Sequence, residues 1–186
     1  MFKKLRLVTK RLLLRDYEMS DKKVTRELLD DLDVTRFLSV VPHPYTESDA
    51  DEFLKMTLKN REKKPREEYN LVVTDKETNE FLGAVGISSI NELDKSATMG
   101  YWLGKRHWRN SYMTEVVLEI IRFAFEELKL RRINISAAVE NDASNALIKK
   151  VGFVYEGTRK QYMTARSTGK IHDANIYGML KSDWKS

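Results

Sequence analysis

Residues 96–139 read SATMGYWLGKRHWRNSYMTEVVLEIIRFAFEELKLRRINISAAV, and the order of patterns within them decides the fold. Ser96 to Leu103 is a short apolar and aromatic run with strand character. Thr114 to Leu128 places Val117, Ile120, Ile121, Ala124 and Leu128 on one helical face. Arg132 to Val139 alternates Ile133, Ile135, Ala137 and Val139, the period of a strand. Strand, loop, long helix and strand in that order form a βαβ crossover, which favours parallel pairing of the two strands.

Upstream, the period is different. Tyr69 to Thr74, Phe81 to Ile90 and Ser96 to Leu103 are separated by polar turns and read as an antiparallel meander. Leu5 to Arg15 reads as a strand or hairpin. Ser20-Asp21 resembles a helix N-cap before a segment reaching Leu32. Two prolines make Val41 to Tyr45 a loop. Thr46 with Asp49 suits a second helix start, and that helix fades into the mixed-charge run Arg61 to Glu68. Downstream, a short helix from Asp142 to Val151 ends at Gly152. Strands follow at Phe153 to Met163 and Asp173 to Leu180.

The 186 residues suit a single domain, 1–186, with a sizeable core. The chain has no cysteine, which excludes disulfides and a thiolate nucleophile, and no metal site is expected. Its beginning, Met1-Phe2-Lys3-Lys4-Leu5-Arg6, lacks the apolar run of a signal peptide, and no segment has the length to span a membrane, so a cytoplasmic protein is expected. The net charge of +5 is dispersed, so direct nucleic-acid binding is not expected.

Between Leu103 and Thr114, a strand end meets a helix start. The first turn of a helix has unpaired N–H groups and a partial positive charge, and phosphates bind there readily. Lys105, Arg106 and Arg109 add formal charge. This spacing points to a polyphosphate ligand, although a surface loop with incidental basic residues would read the same way.

The run Gly100 to Lys105, then Trp108 to Glu115, then Phe123 to Leu128, resembles the acetyl-coenzyme A motif of the RimJ/RimL-type GNAT acetyltransferases. Asn141-Asp142-Ala143-Ser144, with Lys149 to Phe153 and Glu156-Gly157, matches that family's next motif. Lys10 to Arg15, Pro42 to Thr46 and His172-Asp173 through Trp184 extend the likeness over nearly the whole chain. The resemblance implies a mixed α/β fold: a seven-stranded mixed twisted sheet, helices on both faces, and one parallel strand pair splayed apart to admit pantetheine. It assigns pantetheine to backbone groups of Trp102 and Leu103. The pyrophosphate falls to the loop Trp108, Arg109, Asn110, Ser111, Tyr112, Met113 and Thr114. Asn141 and Ser144 would lie near the thioester. The implied reaction is acetyl transfer from acetyl-CoA to a primary amine. A small molecule or a protein N-terminus, including that of a ribosomal protein, would be the acceptor, and a homodimer is compatible with the family.

In one place the chain departs from the family pattern. The loop usually carries glycine where this chain has Arg109 and Ser111, and alanine where it has Met113. A left-handed Ser111 would be strained by about 1–2 kcal/mol. The alternative reading is therefore a non-catalytic CoA-binding or protein-binding relative with a degenerate loop. Another is a basic RNA-associated domain, which no RNA-binding signature supports. For the enzyme, an amide near Leu103 is the candidate oxyanion donor. The role proposed for the motif's serine in the family makes Ser144 the candidate proton donor. Many members carry a tyrosine further along the same segment, but here Leu147, Ile148 and Lys149 occupy it. Glu156, Asp173, His43, His107 and His172 are the candidate bases, and none stands out. Tyr155 and Tyr162 read as core residues. Trp102, Trp108 and Tyr112 read as core aromatics or as a stacking surface for adenine.

Overall fold

The computed structural model describes residues 4–185. Met1, Phe2 and Lys3, part of the stretch read for a leader, lie outside the described residues, as does Ser186. The N-terminal segment folds back at Thr9–Arg11, giving β1 (Arg6–Val8) and β2 (Leu12–Asp16) as an antiparallel hairpin. The meander follows as β3 (Tyr69–Asp75), β4 (Phe81–Asn91) and β5 (Ser96–Leu103). With β6 (Arg132–Ala138), β7 (Val154–Thr164) and β8 (Ile171–Leu180) they form an eight-stranded sheet of order β1-β2-β3-β4-β5-β6-β8-β7. The hairpin supplies the strand beyond the seven expected. The crossover gives the expected parallel pair, β5 with β6.

Local chemistry sets the helix ends. The segment expected to reach about Leu32 ends as α1 (Lys22–Leu29), and a separate short helix, α2 (Leu32–Thr35), follows. The Asp31 carboxylate accepts from the Asp33 N–H and starts a new turn, which ends the first helix. The third helix, α3 (Glu47–Arg61), opens on the expected capping box: Thr46 Oγ1 accepts from the Asp49 N–H at 3.2 Å, and the Asp49 carboxylate accepts from the Thr46 N–H at 2.9 Å. The long helix is α4 (Tyr112–Glu126), and α5 (Asp142–Lys150) is the short one. Gly152, at φ 99°, takes the left-handed conformation, and the N–H groups of Gly152 and Phe153 return to the carbonyls of Lys149 and Ile148.

The sheet is covered on both faces. The apolar stripe of α4 meets Leu12, Leu14, Leu71, Val73, Ile87, Met99 and Ile133 in the main core, which also takes Ile148 and Val151 from α5. The opposite face carries Tyr17, Val72, Phe81 and Ala84 under Leu54 of α3. Each such side chain contributes about 1.5–3 kcal/mol when fully buried. The β7 edge is left uncovered, so Tyr155 and Tyr162 are exposed, contrary to the core role read from the sequence. In the mixed-charge run, Arg66 bonds buried Asp16 at 2.7 Å and lies over the Tyr69 ring.

One buried amide ties α5 to two strands. Asn145 Nδ2 donates to Ala138 O at 2.9 Å on β6 and to Asn141 O at 2.9 Å. Its Oδ1 accepts from Tyr177 Oη at 2.7 Å and from Asn175 Nδ2 at 3.0 Å, both on β8. Removing it strands several buried polar groups. Asn145→Ala is expected to lose about 3 kcal/mol of stability. Urea unfolding checks this, and a loss below about 1 kcal/mol would mean that water replaces the amide.

Candidate functional site

Parallel pairing between β5 and β6 covers only Ser96↔Arg132, Ala97↔Ile133 and Thr98↔Asn134. Beyond Thr98 the two strands part. β5 stays in register with β4 to Leu103, and β6 stays in register with β8 to Ala138. A gap therefore opens at the carboxyl ends of the parallel strands, where ligands of such sheets bind.

The backbone groups facing the gap follow from the ladder. The Gly104 N–H bonds Leu82 O at 2.9 Å, so Gly104, Trp102 and Gly100 point their backbone groups at β4. Tyr101 and Leu103 point theirs at β6. Trp102 thus spends its amide and carbonyl on β4, while Tyr101, which sequence reasoning passed over, faces the gap. Side chains occupy the last inward carbonyls on each wall. Trp108 Nε1 donates to Leu103 O at 2.9 Å, and Asn145 Nδ2 donates to Ala138 O. Among the described residues no partner meets the Leu103 N–H or the backbone groups of Tyr101 on the gap side.

The loop leads from β5 into α4. Arg109 (φ 64°) and Ser111 (φ 57°) are both left-handed. These are the two residues standing where the family carries glycine, and both keep the conformation glycine would take. The Ser111 side chain makes no cap bond to the helix. Among the described residues no acceptor meets the amides from Arg109 to Thr114. Met113 is buried in the main core and leaves this amide surface clear. Asn110 Nδ2 donates to His107 O at 3.3 Å and to Trp108 O at 3.1 Å, which holds the turn.

The N-terminal hairpin clamps the loop from outside. Glu115 accepts from Thr9 Oγ1, from the Arg11 N–H and from Arg11 Nε, while Arg11 also donates to Asn110 O. Burial pushes the Glu115 carboxyl up, but these bonds outweigh it and hold the carboxyl below the usual range. The Arg11 guanidinium lies 4.6 Å above the Tyr112 ring. Of the basic residues expected to supply charge, Lys105 pairs with Asp33 at 2.6 Å and Arg106 with Glu80 at 3.1 Å. Arg109 is unpaired among the described residues. The three aromatics do not form one stack. Trp102 packs on Phe81 at 6.0 Å, Tyr112 lies under Arg11, and Trp108 is partly exposed.

On the other wall, Asn141 caps α5 by accepting from the Ser144 N–H at 3.2 Å. This frees the Ser144 hydroxyl, which lies 2.8 Å from Tyr101 Oη. Burial pushes the Tyr101 hydroxyl up to about 12, so it stays protonated near neutral pH. A tyrosine therefore reaches this point from β5 rather than along α5. The signal in the sequence was the strand alternation, which puts Tyr101 on the same face as Met99.

Four of the five candidate bases are engaged elsewhere, and the fifth, His172, is buried with its Nε2 unpartnered among the described residues. Glu156 is ion-paired with Arg132, and Asp173 accepts from the Gln161 N–H at 2.8 Å. His43 stands 3.7 Å from Asp30. His107 is buried beside Arg106, and burial holds its imidazole below the usual range. His172 is buried with Nδ1 3.2 Å from Glu140 and its ring against Phe37.

Two left-handed residues with side chains hold strain that glycine would release, offset in part by glycine's greater freedom in the unfolded chain. Arg109→Gly and Ser111→Gly are each expected to stabilise the protein by about 0.5–1 kcal/mol. Denaturant midpoints check the sign: destabilisation by either would mean that the side chain makes a bond worth more than the strain.

The family model described as an acetyltransferase (GNAT) domain matches residues 11–154. The chain is 30% identical over 179 residues to the uncharacterised N-acetyltransferase p20 of Bacillus licheniformis, covering 96% of this chain and 97% of that one. The fold is shared with RimL, a ribosomal α-N-protein acetyltransferase solved with coenzyme A (TM-score 0.81, 22% identity, 94% and 96% of the two chains). It is also shared with a spermidine N-acetyltransferase from Vibrio cholerae solved with CoA and spermine (TM-score 0.79, 22% identity, 93% and 97%). The family match over most of the chain, together with an N-acetyltransferase relative aligned end to end, makes this protein a member of the GNAT acetyltransferase family and an N-acetyltransferase.

Proposed function

We propose that this N-acetyltransferase uses acetyl-CoA as donor and a peptide or protein N-terminal α-amine as acceptor. The observation that carries the donor half is the open row of amides from Arg109 to Thr114 beside the splayed strands. Acetyl-CoA would supply an acetyl group already activated as a thioester. The loop amides, the α4 N-terminus and the unpaired Arg109 would hold its pyrophosphate. The open backbone groups of Tyr101 and Leu103 would hold the pantetheine arm in the gap. The Leu103 N–H is the donor offered to a developing oxyanion. Ser144 Oγ is the proton donor to the leaving sulfur, a light task because a thiol pKa of about 8.5 makes the thiolate tolerable near neutrality.

The acceptor half rests on the candidate bases. An α-amine with a pKa of about 8 is roughly one-tenth neutral at neutral pH, whereas a lysine amine is neutral roughly once in 2,500. The difference is about 3 kcal/mol of deprotonation. Glu156, Asp173, His43 and His107 are held by other contacts, and His172 is buried with Nε2 unpartnered among the described residues, so the α-amine is the acceptor that asks least of the site. RimL is named for acetylating a ribosomal α-amine, which agrees with this choice; the spermidine enzyme is named for a polyamine.

Calorimetric titration with acetyl-CoA should show binding in the micromolar range. Peptides with free N-termini should be acetylated in preference to N-blocked peptides bearing lysine. Ser144→Ala should lower kcat on the order of 100-fold, with little change in the KM for acetyl-CoA. If the native chain fails to bind while an Arg109→Gly/Ser111→Gly variant binds, the loop is disabled and the donor reading falls.

A further inference from the structure

The Tyr101–Ser144 contact has a preferred sense, and that sense bears on the serine assigned above as proton donor. Each hydroxyl can donate or accept. The phenol is the stronger acid, and its oxygen lone pair is partly drawn into the ring, so it is the better donor and the poorer acceptor. Tyr101 is partly buried, and among the described residues its hydroxyl has no other partner. Had the serine donated, the phenol proton would have no protein acceptor, at a cost in a partly dry site. The favoured sense is Tyr101 Oη–H donating to Ser144 Oγ.

That sense leaves the serine's own proton to be directed elsewhere. The usual local sink for a helical serine is a backbone carbonyl one turn back. No such bond is formed by Ser144 Oγ among the described residues; its amide, not its hydroxyl, is used in the cap. The Tyr101 backbone faces the gap while its side chain reaches α5, so the contact joins the β5 wall to the helix carrying Ser144. The helix is itself fixed by Asn145, the next residue, through β6 and β8.

We propose that Tyr101 is a positioning residue: by donating to Ser144 Oγ it orients the serine hydroxyl so that its proton points into the gap between β5 and β6. As the C–S bond of the thioester breaks, the Ser144 proton passes to the leaving sulfur while solvent supplies a proton to Ser144 Oγ, so the serine stays neutral. Tyr101 keeps its proton throughout. The tyrosine acts by direction, and the serine supplies the proton.

This inference rests on the serine reading, and the test separates the two. Wild type, Tyr101→Phe, Ser144→Ala and the double variant are compared with acetyl-CoA and the α-amine peptide giving the fastest turnover. Tyr101→Phe is expected to lower kcat about tenfold, with the KM for acetyl-CoA and the calorimetric Kd for CoA within about twofold of wild type. The double variant should be no slower than Ser144→Ala alone, because the phenol has nothing left to orient. In the ligand-free protein, the labelled Tyr101 Cζ resonance should move in Ser144→Ala, which reports the hydrogen bond without turnover. An unimpaired Ser144→Ala overturns the serine reading and this inference with it. An impaired Ser144→Ala beside an unaffected Tyr101→Phe overturns the inference alone. So does a further loss in the double variant, or a Cζ resonance indifferent to Ser144.

Discussion

Everything at the site depends on two parallel strands ceasing to pair after three residue pairs. An unpaired strand edge is normally costly, because its amides and carbonyls face one another without bonding. Here the terminal carbonyl on each wall has a side-chain donor instead: Trp108 Nε1 on Leu103 O, and Asn145 Nδ2 on Ala138 O. These bonds remove the acceptors that would draw the strands back together. They also anchor the two structures that frame the gap. Trp108 begins the loop into α4, and Asn145 lies in α5 beside Ser144.

The pattern of residues made the crossover legible, because its elements are long and their periods clear. The boundaries of β5 were read to the residue, and the capping box at Thr46 foretold the start of α3. The α1 helix was legible but its end was placed about three residues late, because the Asp31 cap competes with continuation and both outcomes use favourable local chemistry. Tyr155 and Tyr162 were misread because strand alternation says nothing about whether a face is covered. That depends on helices elsewhere in the chain, and β7 has none over it. The Tyr101–Ser144 contact spans 43 residues and joins a strand to a helix, so no local pattern announces it.

The loop at Arg109 and Ser111 shows why a missing glycine is a weaker sign of lost function than it first seems. A glycine motif encodes a backbone conformation, and glycine is only its least strained occupant. Here the conformation persists with side chains attached. The clamp accounts for it: Glu115 gathers donors from Thr9 and Arg11, Arg11 reaches Asn110 O, and Asn110 closes the turn with its own amide. Such an over-determined turn can hold strain of about 1–3 kcal/mol per residue. The substitution of arginine also changes the electrostatics. Lys105 and Arg106 are neutralised by Asp33 and Glu80, so Arg109 is the cation left to meet an anion at the loop.

The protonation demands of amine acetylation divide unevenly between donor and acceptor, and the proposed roles follow that division. A thiol leaving group needs little help, and in the proposed mechanism one serine hydroxyl held by a neutral tyrosine would meet the need. An amine nucleophile must be neutral before it reacts, and the cost of neutrality depends on which amine is chosen. A buried base would lower that cost for lysine or a polyamine, but it would have to sit free of other contacts beside the gap. Glu156 and Asp173 are engaged by Arg132 and by the Gln161 amide, and His172 is buried with Nδ1 on Glu140, its ring against Phe37 and its Nε2 unpartnered among the described residues. The acceptor proposed for such a site carries its own low pKa, and among protein amines that is the chain terminus.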